Sequence, residues 1–177
     1  NAGGLTGLQI FPDDEIEIIN DEGNQICEII CFDKDGKSEL GILNQKENSK
    51  KNFIKEILKK KDEGSLTTNL QLKKRNLDIN KSKSSILFDD KTPSGEIIKI
   101  KSKDKCYVIF SAPQNDMLVS EQNPSSDLTI FIKRAKIVND KELSIIPDPV
   151  FEPNYEKNID RQTSISYEVK EGDYVQI

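Results

Sequence analysis

Apolar residues recur at every second position near the start of the chain, and this alternation constrains the fold more than any other feature. Ile16 and Ile18 repeat the spacing of an earlier run, Leu8 to Phe11, across a Pro-Asp-Asp break. A period of two places alternate side chains on one face of a β-strand, which predicts strands with one face in a core. We predict that the two runs form a hairpin and that 25–32 is the next antiparallel strand, after a turn at 20–23.

Further apolar runs predict a mainly β fold, an antiparallel sandwich or distorted barrel with one packed α-helix. The strands are expected at 85–88, 96–101, 106–112, 117–120 and 127–133. The helix is expected over 49–63, because Ser49 can cap it, Phe53, Ile57 and Leu58 share a stripe, and Gly64 follows. The polar stretch 65–84 shows no sustained period and is predicted to be a surface excursion.

The domain organisation that we predict is a β-rich domain over 1–147, a proline-containing connector over 148–163, and a last hairpin over 164–177. Residues 167–177 align with 8–18 at a constant offset of 159, with Ile10 against Val169 and Ile16 against Val175. Any two amphipathic hairpins align over so short a stretch. The pattern nevertheless suggests that the final hairpin opens a second repeat unit and that the chain is a fragment of a longer protein.

The composition excludes several kinds of site. The 177-residue chain contains no histidine, so Ser-His and Cys-His nucleophile pairs and histidine-containing zinc sites within it are excluded. Cys27 and Cys31 are spaced C-x3-C, but on a strand their Cα atoms would be roughly 13 Å apart, too far for both thiols to bind one zinc ion. We predict that these cysteines and Cys106 are small core residues, that the chain binds no metal, and that a sparse, odd set of cysteines reflects a cytoplasmic location.

A basic segment invites a nucleic-acid hypothesis. Residues 46–83 contain twelve Lys or Arg against five Asp or Glu, but only Arg75 among the twelve is arginine. Bidentate recognition of phosphate favours arginine, and base stacking needs exposed aromatic side chains, of which the segment offers none outside the predicted helical stripe. We predict a solvated face and no nucleic-acid partner. No run approaches the ~18 apolar residues of a membrane helix, so no membrane partner is predicted.

The loops at the strand ends supply the best candidates for small-molecule contact. Gly23 allows backbone N–H groups to approach a ligand, and Asn24 and Gln25 follow it directly. Gln114 and Asn115 lie in a second polar loop. The five residues are predicted ligand-binding residues, and the alternative for the first three, which their composition favours, is a hairpin turn whose amide satisfies its own backbone. No catalytic residue is predicted.

Several ordered motifs carry a resemblance to a known family. These are Gly4-Leu5-Thr6-Gly7-Leu8, Asp21-Glu22-Gly23-Asn24-Gln25-Ile26-Cys27-Glu28, Asp127-Leu128-Thr129-Ile130-Phe131-Ile132-Lys133-Arg134 and the last eleven residues. Together they resemble the N-terminal region of long bacterial aminomethyltransferase-family proteins. In those proteins, domains similar to the urea carboxylase-associated family precede a folate-binding module like the glycine cleavage system T-protein.

The resemblance implies a parent enzyme that transfers an aminomethyl or methyl group with tetrahydrofolate. It implies that this chain is an auxiliary, non-catalytic domain, with no cofactor of its own, that packs against the catalytic module of the same polypeptide or mediates homo-oligomerisation. Stand-alone members of the family hold a metal through Cys and His, and this chain matches only the Gly23 to Glu28 part of that pattern. Two alternatives remain: a binding module for an amine or amino acid, and a degenerate metal-dependent enzyme domain.

Overall fold

The computed structural model describes residues 4–60, 63–114, 125–135 and 144–146. The strands are β1 (Leu5–Ile10), β2 (Glu15–Asn20), β3 (Cys27–Asp33), β4 (Ser84–Phe88), β5 (Glu96–Lys101), β6 (Cys106–Ser111), β7 (Thr129–Lys133) and β8 (Ser144–Ile146). The helices are α1 (Phe53–Lys59) and α2 (Glu63–Lys74), and 3₁₀ turns lie at Leu40–Leu43 and Ile79–Lys81. The prediction of a mainly β, antiparallel fold is confirmed.

The larger sheet, sheet A, has five strands in the order β4-β3-β6-β1-β8, and every pairing is antiparallel. Its central strands β3 and β6 are mostly apolar, and every residue in them is buried except Asp33. Such runs belong to strands that are covered on both faces. One face contributes Ile29 and Val108 to a core shared with the second sheet, and the other contributes Ile30 and Ile109 to a core shared with the helices.

The smaller sheet, sheet B, has three strands in the order β5-β2-β7. Ile16 and Ile18 of β2 are fully buried against sheet A, as the alternation predicts. The domain therefore has three layers, with the helices on one side of sheet A and sheet B on the other. The inner face of sheet B is covered by sheet A.

The predicted hairpins are wrong, because β1, β2 and β3 do not pair with one another. β1 pairs with β6 and β8, β2 with β5 and β7, and β3 with β4 and β6. The chain turns from sheet A to sheet B at Phe11–Asp14, where the Phe11 N–H donates to the Asp14 carboxylate at 2.9 Å. Alternation specifies which face of a strand is buried but not which strand it pairs with. The predicted hairpins and the observed pairings bury the same isoleucines, so alternation cannot distinguish between them.

The helical part of the fold is larger than the sequence predicts. The predicted helix over 49–63 is confined to α1, which Asn52 caps by accepting a hydrogen bond from the Lys55 N–H at 3.0 Å. The predicted surface excursion 65–84 instead contains most of α2 and a 3₁₀ turn. Helix α2 packs through small polar residues as well as Leu72: the Ser65 hydroxyl donates to the Ile57 carbonyl at 2.9 Å. An apolar period cannot reveal a helix whose buried side is largely polar.

Three of the predicted elements lie in segments that the structure does not describe. The strand at 117–120, the connector 148–163 and the final hairpin at 164–177 lie outside the described residues. The proposed repeat and the domain boundaries therefore stay predictions.

Candidate functional site

The turn between β2 and β3 holds three of the predicted ligand-binding residues. Gly23 has a φ of +80°, and a Cβ at this position would lie 2.6 Å from the backbone nitrogen of Ser94. The turn thus lies directly against the loop between β4 and β5, and only glycine fits there. Asn24 also has a positive φ, 57°, and its N–H donates to the Thr92 carbonyl at 2.7 Å.

Gln25 is fully buried, and its polar atoms connect three distant segments of the chain. Its Nε2 donates to the carbonyls of Ile26 and Pro113, each at 2.9 Å, and its Oε1 accepts from the Ser126 N–H at 2.8 Å. Its backbone carbonyl accepts from Nδ2 of Asn20 at 2.9 Å. We call Asn20, Gln25, Pro113 and Ser126 the Gln25 cluster. It ties the β2–β3 turn to the end of β6 and to the segment before β7.

The second predicted loop approaches the same cluster. Pro113 immediately precedes Gln114, which is exposed, whereas Asn115 lies outside the described residues. The structure thus brings Gln25 next to the start of the loop that carries Gln114. Ligand binding by these residues stays a prediction.

Two residues of the Gln25 cluster were missed by the sequence analysis. Within the described part of the chain, the buried Asn20 Oδ1 and Ser126 Oγ have no hydrogen-bond partner. Asn20 carries a recognisable signal, because it continues the inward phase of Ile16 and Ile18 and so places an amide in a buried position. Ser126 has no such signal, since it belongs to a loop.

A second buried polar group, Glu28 on β3, connects the sheet to the helices. Its carboxylate accepts from the Ser84 hydroxyl at 2.7 Å, the Ser49 hydroxyl at 3.0 Å and the Ile54 N–H at 2.8 Å. Burial raises the pKa of Glu28 above 4.5, and the hydrogen bonds oppose that shift in part. Its acceptor positions are thus occupied by the chain itself, at the first turn of α1.

A third buried polar group, Asp14, joins the two sheets at the corner between β1 and β2. One carboxylate oxygen accepts from Nη1 of Arg134 at 2.6 Å, and the other accepts from the Ala135 N–H at 2.9 Å. The same guanidinium donates to the Gln9 carbonyl at 2.8 Å and lies over the Phe11 ring. Asp14 is therefore an anchor for the end of β7.

The three cysteines are free, buried thiols, as predicted for core residues. Burial raises the pKa of Cys27 to about 12, with the neighbouring Glu28 charge adding to the effect. A hydrogen bond with Cys106 and burial both raise the pKa of Cys31. In the part of the chain that the structure describes, no group of three or more His, Cys, Asp or Glu residues is arranged to hold a metal ion.

A groove of ≈ 420 Å³ lies elsewhere, between the end of α2 and the 3₁₀ turn Ile79–Lys81. Leu72, Leu77 and Asn80 are among its lining residues, whereas Gly23, Asn24, Gln25 and Gln114 are not. The groove and the Gln25 cluster are therefore separate features of the molecule.

One curated protein matches over nearly the whole chain. The chain is 29% identical over 176 residues to the trimethylamine-oxide aldolase of Ruegeria pomeroyi, and the match covers 99% of this chain but 22% of that enzyme. No family model matches the chain. No solved structure matches it either.

The match relates this chain to one segment of a larger enzyme, since the chain spans about a fifth of the relative's length. The match does not test the resemblance to aminomethyltransferase-family proteins, which stays a prediction. Among the described residues, no helix has the length and apolar character needed to cross a membrane.

Proposed function

We propose that this chain is an auxiliary domain of a larger enzyme of methylated-amine or one-carbon metabolism, and that it contributes structure rather than chemistry. The alignment of 99% of the chain with 22% of trimethylamine-oxide aldolase carries the proposal. The parent enzyme acts on a trimethylamine oxide-like substrate or transfers an aminomethyl group with tetrahydrofolate. In either case the reacting groups and tetrahydrofolate belong to the part of the parent outside this chain.

The hydrogen bonds that the buried polar groups make within the chain support a structural role. A catalytic acid or base needs a carboxyl group that can reach a substrate. Asp14 and Glu28 are fully buried, and their oxygens accept hydrogen bonds from backbone N–H groups and from Ser or Arg side chains. Gln25 is likewise committed to carbonyl and N–H groups of the chain. These contacts hold loops and sheets together.

The test is an activity comparison between this 177-residue chain and the polypeptide encoded by its complete gene. Consumption of trimethylamine oxide is measured for both, with and without tetrahydrofolate. We expect turnover by the complete polypeptide and none by the chain alone. Turnover by the isolated chain would contradict the auxiliary role, and a gene that encodes nothing beyond this chain would remove the parent enzyme from the proposal.

A second candidate function is binding of a small amine at the Gln25 cluster. It is favoured by the buried Asn20 Oδ1 and Ser126 Oγ, which have no partner within the described ranges, because a protonated amine donates to such oxygens. The test is thermal unfolding with millimolar trimethylamine. Stabilisation that Gln25→Leu abolishes and Leu70→Gln, at a position 58% exposed on α2, preserves would support this function, and an unchanged unfolding temperature would exclude it for that ligand.

A further inference from the structure

The two outer surfaces of the three-layer domain are not equivalent. On one side, α1 and α2 cover sheet A, and Ile54, Leu58 and Leu72 belong to the core between them. On the other side, sheet B is the outermost layer among the residues that the structure describes. Ile16 and Ile18 of β2 point inward with Ile100 of β5, so the residues between them lie on the opposite face. We call the side chains of Glu15, Glu17, Ile19, Ile97, Lys99, Lys101, Thr129, Phe131 and Lys133 the outer face of sheet B.

This outer face has an apolar patch toward one end. Ile97 is 46% exposed and Phe131 is 58% exposed, and these large hydrophobic residues lie on the two edge strands, β5 and β7, on either side of β2. Ile19 on β2 lies between them and is directly opposite Ile97 of β5. Phe131 of β7 is opposite Glu17, two residues before Ile19, so Phe131 is a diagonal neighbour of Ile19. Cross-strand neighbours lie within roughly 5 Å and diagonal neighbours within about 8 Å, so the three side chains form one patch.

The charges around this patch neutralise one another. Lys99 pairs with Glu17 at 2.8 Å, Lys101 with Asp13 at 3.0 Å, and Lys133 with Glu15 at 3.8 Å. The Glu17 carboxylate also raises the pKa of Lys99. A surface that attracts nucleic acid or an anionic membrane presents unpaired cations. An exposed apolar patch bordered by paired charges is compatible with a protein–protein contact.

We infer that the outer face of sheet B is where the remainder of a larger polypeptide docks onto this domain. The inference rests on the proposed function. Most of the matched relative lies outside the aligned segment. A stable complex of two separate proteins needs about 800 Å² per partner, whereas a patch of three side chains supplies much less. A covalently linked partner needs less area because the linkage supplies a high effective concentration, and Phe131 provides the aromatic anchor common in such contacts.

Cysteine labelling tests the inference, because the native thiols of this domain are all buried. Phe131→Cys and Ile97→Cys are introduced separately into the 177-residue chain and into the polypeptide from the complete gene. Labelling by a maleimide is followed at the introduced position by peptide mass spectrometry. We expect labelling to be about tenfold slower, or more, in the complete polypeptide than in the chain alone. The matched control is Leu70→Cys on α2, since Leu70 is also 58% exposed and lies on the helical side.

Each other outcome overturns the inference. Equal labelling in both proteins would mean that the face is simply in solvent. If labelling is slow in the isolated chain and slows further as the protein concentration rises, a second copy of the chain covers the face. If labelling is slow in the isolated chain at every concentration, another segment of the same chain covers it. Slow labelling of the Leu70→Cys control to the same extent would mean general burial rather than one docking face. Activity of the complete polypeptide is measured on the same samples, so failure of the proposed function is seen separately.

Discussion

Asp14 and Arg134 are 120 residues apart in the sequence, yet Nη1 of Arg134 lies 2.6 Å from Oδ2 of Asp14. The Asp14 side chain is fully buried, and that of Arg134 is 21% exposed. The ion pair fixes the end of β7 at the corner where the chain crosses from sheet A to sheet B. It therefore joins the two sheets at a point where, in the described part of the chain, the strands of one sheet do not pair with those of the other.

We expect Arg134→Met to lower the free energy of unfolding by about 3 kcal/mol. The substitution keeps much of the apolar stem but leaves the Asp14 carboxylate buried without its counter-ion, which is the costly case for buried ion pairs. Urea unfolding measures the change. The matched control is Lys133→Met, one residue away, whose 3.8 Å ion pair with Glu15 joins side chains that are 83% and 57% exposed. That control should cost less than about 0.5 kcal/mol, and equal losses in the two variants would contradict the account.

Gln25→Leu is expected to cost about 2–3 kcal/mol. Leucine fits the buried volume but leaves the Pro113 carbonyl and the Ser126 N–H without their partner, and buried polar groups that lose a hydrogen bond are destabilising. The comparison is Gln114→Leu at an exposed position, where the free energy of unfolding should hardly change. Equal, small effects would show that the Gln25 cluster does not hold the loops.

Gly23→Ala and Gly95→Ala form a matched pair, because both glycines have a positive φ, 80° and 75°. A Cβ at Gly95 meets nothing within 4 Å, whereas one at Gly23 would lie 2.6 Å from the Ser94 nitrogen. Gly95→Ala should therefore lower the free energy of unfolding by about 1 kcal/mol, the cost of holding an alanine at positive φ. Gly23→Ala should lower it by at least about 1 kcal/mol more, because its Cβ also clashes with Ser94. Chemical unfolding of both variants measures the difference. If Gly95→Ala costs as much as Gly23→Ala, the close approach of the two loops is not as described.

The faces of strands could be predicted from the sequence, but their partners could not. Alternation correctly predicts that Ile16 and Ile18 are buried, whereas the pairing of β2 with β5 and β7 depends on contacts far along the chain. Helix α2 was missed because Ser65 and Thr68 occupy positions on its buried side where an apolar stripe is expected. Gln25 was recognised as a notable residue, but its partners Pro113 and Ser126 lie 88 and 101 residues away. Local patterns carry no information about such contacts.

The stability of the chain should depend on pH through Glu28. Its pKa in the folded state is raised by burial above the ordinary value of 4.5, so this group contributes stability that is fully present below about pH 4.5. That contribution is lost as the pH rises through the folded-state pKa. Glu28→Gln has no titrating group at this position. The free energy of unfolding of the wild type minus that of Glu28→Gln should therefore decrease as the pH is raised from about 4 to about 8.

Urea unfolding of both proteins across this range measures the difference, and other titrating groups cancel in it. Glu96→Gln, at an exposed position, corrects for the general effect of removing one negative charge. If the wild-type advantage over Glu28→Gln instead grows with pH, the hydrogen bonds from Ser49, Ser84 and Ile54 outweigh burial and the carboxylate is a net stabiliser of α1 when charged. In that case the contact between β3 and α1 is held by the charged carboxylate, and the same variant should lose its helical signal first on heating at neutral pH.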